Sequence, residues 1–129
     1  MDVKDIRIDS WVRYKGEDVQ VLGIHHSRKF VMLPFTAKDK KQSWKNVDEV
    51  NPVFLDDNYF KKLRFRKHEG YWKKKALNFD FLVEMKRPHY IYIEDMQGNR
   101  VALGEVQFVH TLQDMFYSLA NKDPWDYNQ

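Results

Sequence analysis

The sequence predicts an α+β protein. A small β-barrel of the Src-homology or Tudor type is expected over residues 1–53, then a short helix, a β-meander of two to three strands and a C-terminal amphipathic helix over residues 54–129. Three observations predict it. Short apolar runs broken by turn residues fill the chain from Ile6 to Pro52, alternation with a period of two returns after Gly70, and apolar residues recur at helical spacing between Glu105 and Ala120. At 129 residues the two lobes are expected to form one compact unit, because single domains hold about 100 to 150 residues.

In the first lobe Trp11-Val12-Arg13-Tyr14 leads into Lys15-Gly16-Glu17-Asp18, a sequence suited to a hairpin turn. Val19, Val21 and Ile24 alternate with polar neighbours, Phe30-Val31-Met32-Leu33 is an apolar run, and Ser43-Trp44-Lys45 opens another strand. Lys38-Asp39-Lys40-Lys41 reads as a solvated loop. Asn46 to Val50 reads as one helical turn before a last strand at Asn51-Pro52-Val53. This order suits a small bent barrel, whose closure removes exposed edges.

In the second lobe Asp56 is placed to cap the amides of Asn58 or Tyr59, with Leu55 and Phe60 spaced as a hydrophobic staple. The periodicity lapses from Arg64 to Lys67, and Gly70 offers a break before the next strands. Phe79, Phe81, Val83 and Met85 alternate with Asp80, Leu82 and Glu84. Lys86-Arg87-Pro88 makes a turn, Tyr90 to Ile93 a strand, Met96 to Asn99 a turn and Val101 to Leu103 a third strand. The final helix is expected from Glu105 to Ala120 with an apolar stripe of Val109, Leu112, Phe116 and Leu119. Asn121, Lys122 and Pro124 mark its end.

Composition excludes several chemistries. The absence of cysteine closes disulfide, thiolate and cysteine-ligated metal chemistry and suits a reducing compartment. Met1-Asp2-Val3-Lys4-Asp5 carries no export signal, and no apolar run approaches the roughly 18 residues of a membrane span, so a cytoplasmic protein with no membrane partner is expected. Nine Phe, seven Tyr and four Trp either fill the core or make binding surfaces.

Several short patterns follow one another in a recognisable order. Ile6-Arg7-Ile8 precedes Trp11-Val12, then come Val19-Gln20-Val21, Asn51-Pro52-Val53 with Leu55, and His110-x-Leu112-Gln113 with Phe116-Tyr117 and Leu119. In this order the chain resembles a family of small uncharacterised proteins encoded by bacteria, their mobile elements and phages. The family usually has Gly-Asn where Asp9-Ser10 stand, and Gly after the short helix where Arg64 stands. The resemblance implies a small barrel followed by helix, hairpins and helix. It implies no catalytic residues and no established activity.

The most unusual local feature runs from Lys61 to Lys75. Lys61, Lys62, Arg64, Arg66, Lys67, Lys73, Lys74 and Lys75 face a single acid, Glu69, which leaves a local charge of +7 in a chain whose total is +3. Tyr71 and Trp72 lie inside this stretch, and rings beside cations are the combination that stacks bases while neutralising phosphates. The same residues also suit a solvated helix end and a lysine-guarded strand edge, with Phe65 and Trp72 facing inward.

Other candidates are weaker. His25 and His26 are adjacent and point to opposite faces of a strand, while His68 and His89 have no ligand spacing. His110, beside the helix stripe, is expected at a boundary, bonded to a neighbouring sheet. Asp48-Glu49, Asp56-Asp57 and Glu94-Asp95 are accounted for by a helical turn, a cap and a strand end. Ser10, Ser27, Ser43 and Ser118 lack an activating context.

The expected function is a non-enzymatic accessory binding module without cofactor or metal. Its partner is nucleic acid, contacted by the Lys61–Lys75 segment with rings such as Trp11, Trp44, Tyr71 or Trp72. The alternatives are an acidic protein surface or a homo-oligomer in a phage or mobile-element assembly, and a small ligand-binding protein or hydrolase with a pocket.

Overall fold

The computed structural model describes residues 1–34 and 41–120. The expected loop at Lys38 to Lys40 and the expected helix-end signals at Asn121, Lys122 and Pro124 lie outside the described residues. The chain divides into two units, residues 1–54 with 108–110, and residues 55–107 with 111–129.

The first unit contains β1 (Trp11–Tyr14), β2 (Glu17–Gln20), β3 (Gly23–His25), β4 (Phe30–Leu33), β5 (Ser43–Asn46) and β6 (Asn51–Pro52). Between β1 and β2, Lys15 and Gly16 both take positive φ, 49° and 81°. That left-handed pair matches the twist of a two-residue hairpin. A single 3-10 turn at Val47–Glu49 precedes β6 and is capped reciprocally. The Asp48 N–H donates to Asn46 Oδ1 at 2.9 Å, and the Asn46 N–H donates to Glu49 Oε2 at 3.0 Å. Ile6, Val12, Tyr14, Val21, Val31, Leu33, Val47 and Val50 are buried together as its core.

All pairing is antiparallel, in two three-stranded sheets ordered β2-β1-β6 and β3-β4-β5. The sheets are open among the described residues, whereas the sequence predicts a closed barrel. The chain passes between the two sheets at the junction of β2 and β3. There the Val21 N–H donates to Ser10 O beside the first sheet and the Leu22 N–H to Met32 O in the second, each at 2.9 Å, so the chain changes partner.

The second unit opens with α1 (Asp57–Lys62), followed by β7 (Arg66–His68), β8 (Tyr71–Ala76), β9 (Phe79–Glu84), β10 (His89–Asp95) and β11 (Arg100–Val106). The five strands form one antiparallel meander in the order β11-β10-β9-β8-β7. The sequence predicts only two to three strands, because three successive lysines obscure the alternation of β8. Beyond β11, α2 (Val109–Ala120) begins in the first unit and continues in the second. It starts four residues later than Glu105, the expected start, because β11 stays paired with β10 as far as Val106 opposite His89. Its stripe also differs in one place: Val109, Leu112, Gln113, Phe116 and Ala120 are buried, while Leu119 is exposed. Ala120 continues the four-residue step from Phe116, which turns Leu119 outward.

α1 is short but tightly closed at both ends. Asp56 Oδ1 accepts from the Tyr59 N–H at 2.9 Å, and Leu55 and Phe60 are both buried, as the staple requires. At the other end the Arg64 N–H donates to Lys61 O at 3.0 Å and the Phe65 N–H to Phe60 O at 2.9 Å. These two bonds, with Arg64 at φ 66°, make a Schellman cap whose left-handed position carries an arginine instead of the usual glycine. The accompanying apolar contact is Phe60 against Phe65, with ring centroids 5.7 Å apart. Holding a side chain at positive φ opposes folding, so Arg64→Gly is expected to raise stability by about 0.5–1 kcal/mol. An unchanged or lower urea midpoint for that variant would show that Arg64 sits there without strain.

Candidate binding face of the five-stranded sheet

The period of two along β8 divides the basic segment. Trp72, Lys74 and Ala76 are buried on one face, while Tyr71 and Lys73 are half-buried and Lys75 is exposed on the other. Cross-strand pairing extends the outer face in three rows. His68 stands opposite Tyr71, and Tyr71 opposite Glu84. Arg66 stands opposite Lys73, which faces Leu82, which faces Tyr92 and then Ala102. Lys75 stands opposite Asp80, which faces Glu94 and then Arg100.

The ten residues singled out from the sequence therefore separate. Arg66, Tyr71, Lys73 and Lys75 share the outer face. Lys67 belongs to the opposite face of β7, its ammonium 5.4 Å from the centroid of Trp72. Lys61 and Lys62 end α1, with Lys62 lying 4.9 Å over the Tyr59 ring, and Arg64 is the exposed cap residue. Trp72 and Lys74 are withdrawn from any surface, at 1% and 0% exposure. The indole stacks on Phe60 with centroids 5.1 Å apart at 11°, and the Lys74 ammonium lies 5.8 Å over Phe116. Their expected place on a wet surface is thus corrected. The apolar demand of α1 and α2 takes the even positions of β8, and Lys74 lies among them because of its register.

The accessible ring of the segment is Tyr71, held in a network. It meets Tyr92 edge-on at 6.2 Å, and the Arg100 guanidinium lies 5.1 Å over Tyr71 and 5.9 Å over Tyr92. Arg100 Nη1 donates to the Tyr71 hydroxyl at 3.1 Å, and Arg100 Nη2 pairs with Glu94 at 2.6 Å, which holds the guanidinium above its ordinary pKa. The Tyr92 hydroxyl donates to Glu84 at 2.9 Å, and that bond raises the phenol's pKa. Asp95 accepts from the Asn99 side chain and backbone and from the Gln97 N–H, and these donors, the Asn99 side chain first, lower its pKa. The sequence places Glu84, Tyr92 and Glu94 on or at the end of predicted strands, but their meeting with Arg100 depends on register between distant strands, which it does not show.

A cleft of about 520 Å³ opens here, within the range of about 300–1,000 Å³ for ligand sites. Arg66, Lys67, Lys73 and Lys75 line it together with Asp80 and Glu94, and Phe79 and Met96 add apolar surface, so Lys67 reaches the cleft although it stands on the opposite face of β7. The Lys73 ammonium is 3.5 Å from Asp80.

The remaining candidates resolve into structural roles. His25 Nδ1 accepts from the Arg28 N–H at 3.3 Å in a turn, and its ring meets the exposed Trp44 edge-on within the first unit. Among the described residues no cluster of three or more His, Asp or Glu side chains could hold a metal ion, and no helix is long and apolar enough to cross a membrane. His89 Nδ1–H donates to Glu84 O at 2.7 Å. His110 does not bond a sheet through Nδ1, which is buried with no hydrogen-bond partner. Its ring stacks on Phe108 at 5.8 Å, and burial pushes its pKa down despite the opposing charge of Asp5.

Two outcomes follow from these placements. Trp72→Ala is expected to cost about 3–5 kcal/mol, as loss of a buried ring does. Trp72→Phe retains the stack and removes an indole N–H that has no acceptor, so its urea midpoint should fall much less; equal losses would overturn the stack as the main contribution. For His110 the folded pKa lies below the unfolded one, so its neutral form is favoured by folding. The contribution is therefore complete above the unfolded pKa of about 6.5 and declines as pH falls below it. His110→Gln should flatten the loss of stability between neutral pH and about pH 5, and an unchanged slope would exclude His110 as its source.

Scans of protein-family models, curated proteins and solved structures found no match to this chain.

Proposed function

We propose that this chain is a non-enzymatic accessory binding module whose sheet contacts single-stranded nucleic acid through Arg66, Lys73, Lys75 and Tyr71. The observation that supports the reading is the register of β7, β8 and β9, by which three cations and a phenol ring share one face beside a cleft. Cations on such a face neutralise phosphates, and an accessible ring offers a stacking platform that only unpaired bases can use. Lys61, Lys62 and Arg64, exposed at the end of α1, add positive potential nearby without belonging to the sheet.

For the first unit the proposed relation is to the small Src-homology or Tudor-type barrels, with the sheets left unclosed among the described residues. Its support is the strand order, with residues 17–25 passing from one sheet into the other and a 3-10 turn before β6. A cytoplasmic setting and a phage or mobile-element context belong to the same proposal, on the cysteine-free composition and the family resemblance. A second reading, a protein-assembly component, draws on β11 as an edge strand among the described residues. Val101 there is 56% exposed, and Met96 in the adjoining turn is 82% exposed.

Fluorescence anisotropy with labelled single-stranded oligonucleotides tests the first reading. Three phosphate contacts give an expected slope of log affinity against log salt of about −2, and Arg66→Ala or Lys75→Ala should each reduce its magnitude by about 0.7. Tyr71→Ala should weaken binding about 5- to 100-fold with little change in slope. A slope near zero removes nucleic acid as the partner. Concentration-dependent oligomers that vanish in Val101→Lys would then favour the assembly reading.

A further inference from the structure

Although Lys75 faces Asp80 and Arg100 faces Glu94 on the outer face, the cations lining the cleft come from β7 and β8 and its carboxylates from β9 and β10. Arg66 stands directly opposite Lys73, and Asp80 directly opposite Glu94. Like charges facing each other across strands oppose sheet formation, yet both pairs line the same cleft. Lys73 at 3.5 Å from Asp80 and Arg100 at 2.6 Å from Glu94 relieve part of the repulsion. The lining of the cleft thus places its cations on β7 and β8 and its carboxylates on β9 and β10. Its polarity matches a ligand that carries an anionic group at one end and N–H donors at the other.

Resting on the nucleic-acid reading above, we infer that this cleft selects bases bearing an exocyclic amine, and so prefers cytosine to thymine or uracil. A nucleotide is a ligand of that polarity: its phosphate meets Arg66, Lys73 and Lys75 while its base meets Asp80 and Glu94. β8 and β9 are neighbours about 4.8 Å apart, so one nucleotide spans both. An ionised carboxylate only accepts hydrogen bonds, and its two oxygens offer about four lone-pair sites, enough to keep its lysine or arginine partner and accept one donor more. The C4 amine of cytosine donates to such an oxygen. The C4 carbonyl of thymine or uracil only accepts, so it meets the carboxylates with repulsion.

Cytosine and thymine oligomers separate this chemistry cleanly, having the same ring size and backbone charge. Binding of labelled oligo(dC) and oligo(dT) of about twelve nucleotides to the full chain is compared at one salt concentration and near-neutral pH. The expected result is on the order of tenfold tighter binding of oligo(dC). Asp80→Asn, whose amide can donate to a carbonyl, should bring the two affinities together, and Glu94→Gln serves as a second variant should the first fail to fold by circular dichroism. Equal affinities, or tighter oligo(dT), overturn the base preference while salt-dependent binding leaves the nucleic-acid reading intact. Failure to bind either oligomer overturns both, and a preference that survives in both folded variants overturns its assignment to these carboxylates.

Discussion

What β8 presents to solvent follows from what Trp72 presents to Phe60. The two rings stack 5.1 Å apart, and Phe60 is at the same time edge-on to Phe65 and His89. An aromatic pair of this kind contributes about 0.5–1.5 kcal/mol beyond the burial of its surface, so the β8 position opposite α1 is strongly decided. A slip of one residue would turn Lys73 toward Phe60 and carry Tyr71 and Lys75 inward, because strand side chains alternate. The outer face is in this sense a product of the inner one. The bond from His89 Nδ1–H to Glu84 O extends the constraint to the β9–β10 connection, so β8, β9 and β10 are held in step.

Local signals in the sequence predict local structure well. Asp56 caps the helix it precedes, Lys15-Gly16 makes its hairpin turn, and Asn46 and Glu49 close their single turn. Each depends on residues within a few positions of one another. The missed elements depend on partners further away. Lys73, Lys74 and Lys75 look uniformly polar, yet β9 and the helices bury the middle one and leave its neighbours outside. Glu105 and Val106 fit the helical spacing, but pairing with β10 holds them extended.

The candidate site divides along the same line. Arg66, Tyr71, Lys73 and Lys75 were legible because charge clustering and nearby rings are visible in one dimension. Asp80, Glu94, Tyr92 and Arg100 were not, since their place on the same face comes from the order and register of strands separated by turns. Trp72 and Lys74 lie inside rather than on the basic surface: the alternative reading places Trp72 inward with Phe65, while nothing in a run of lysines marks Lys74 as facing the helices. Arg64 lies between these cases. The sequence offers no glycine for a left-handed cap, but the two cap hydrogen bonds and the Phe60–Phe65 contact together impose the conformation on arginine.

A count of charge along the chain overstates the field a partner meets. Of the cations between Lys61 and Lys75, three share the outer face of the sheet, and the carboxylates of Asp80, Glu84 and Glu94 stand on that face with them. Screening by salt, with a Debye length of about 8 Å at physiological ionic strength, shortens their reach further. For the proposed nucleic-acid partner, coulombic attraction alone would supply modest, sequence-blind affinity, and the rest would have to come from contact chemistry. Arg100 and Tyr92 hold Tyr71 from two sides, so less rotamer freedom would be lost if a base stacked there as proposed. If the face binds as proposed, its few cations, its bonded phenol and its row of acceptors favour discrimination between ligands over tight hold on any polyanion.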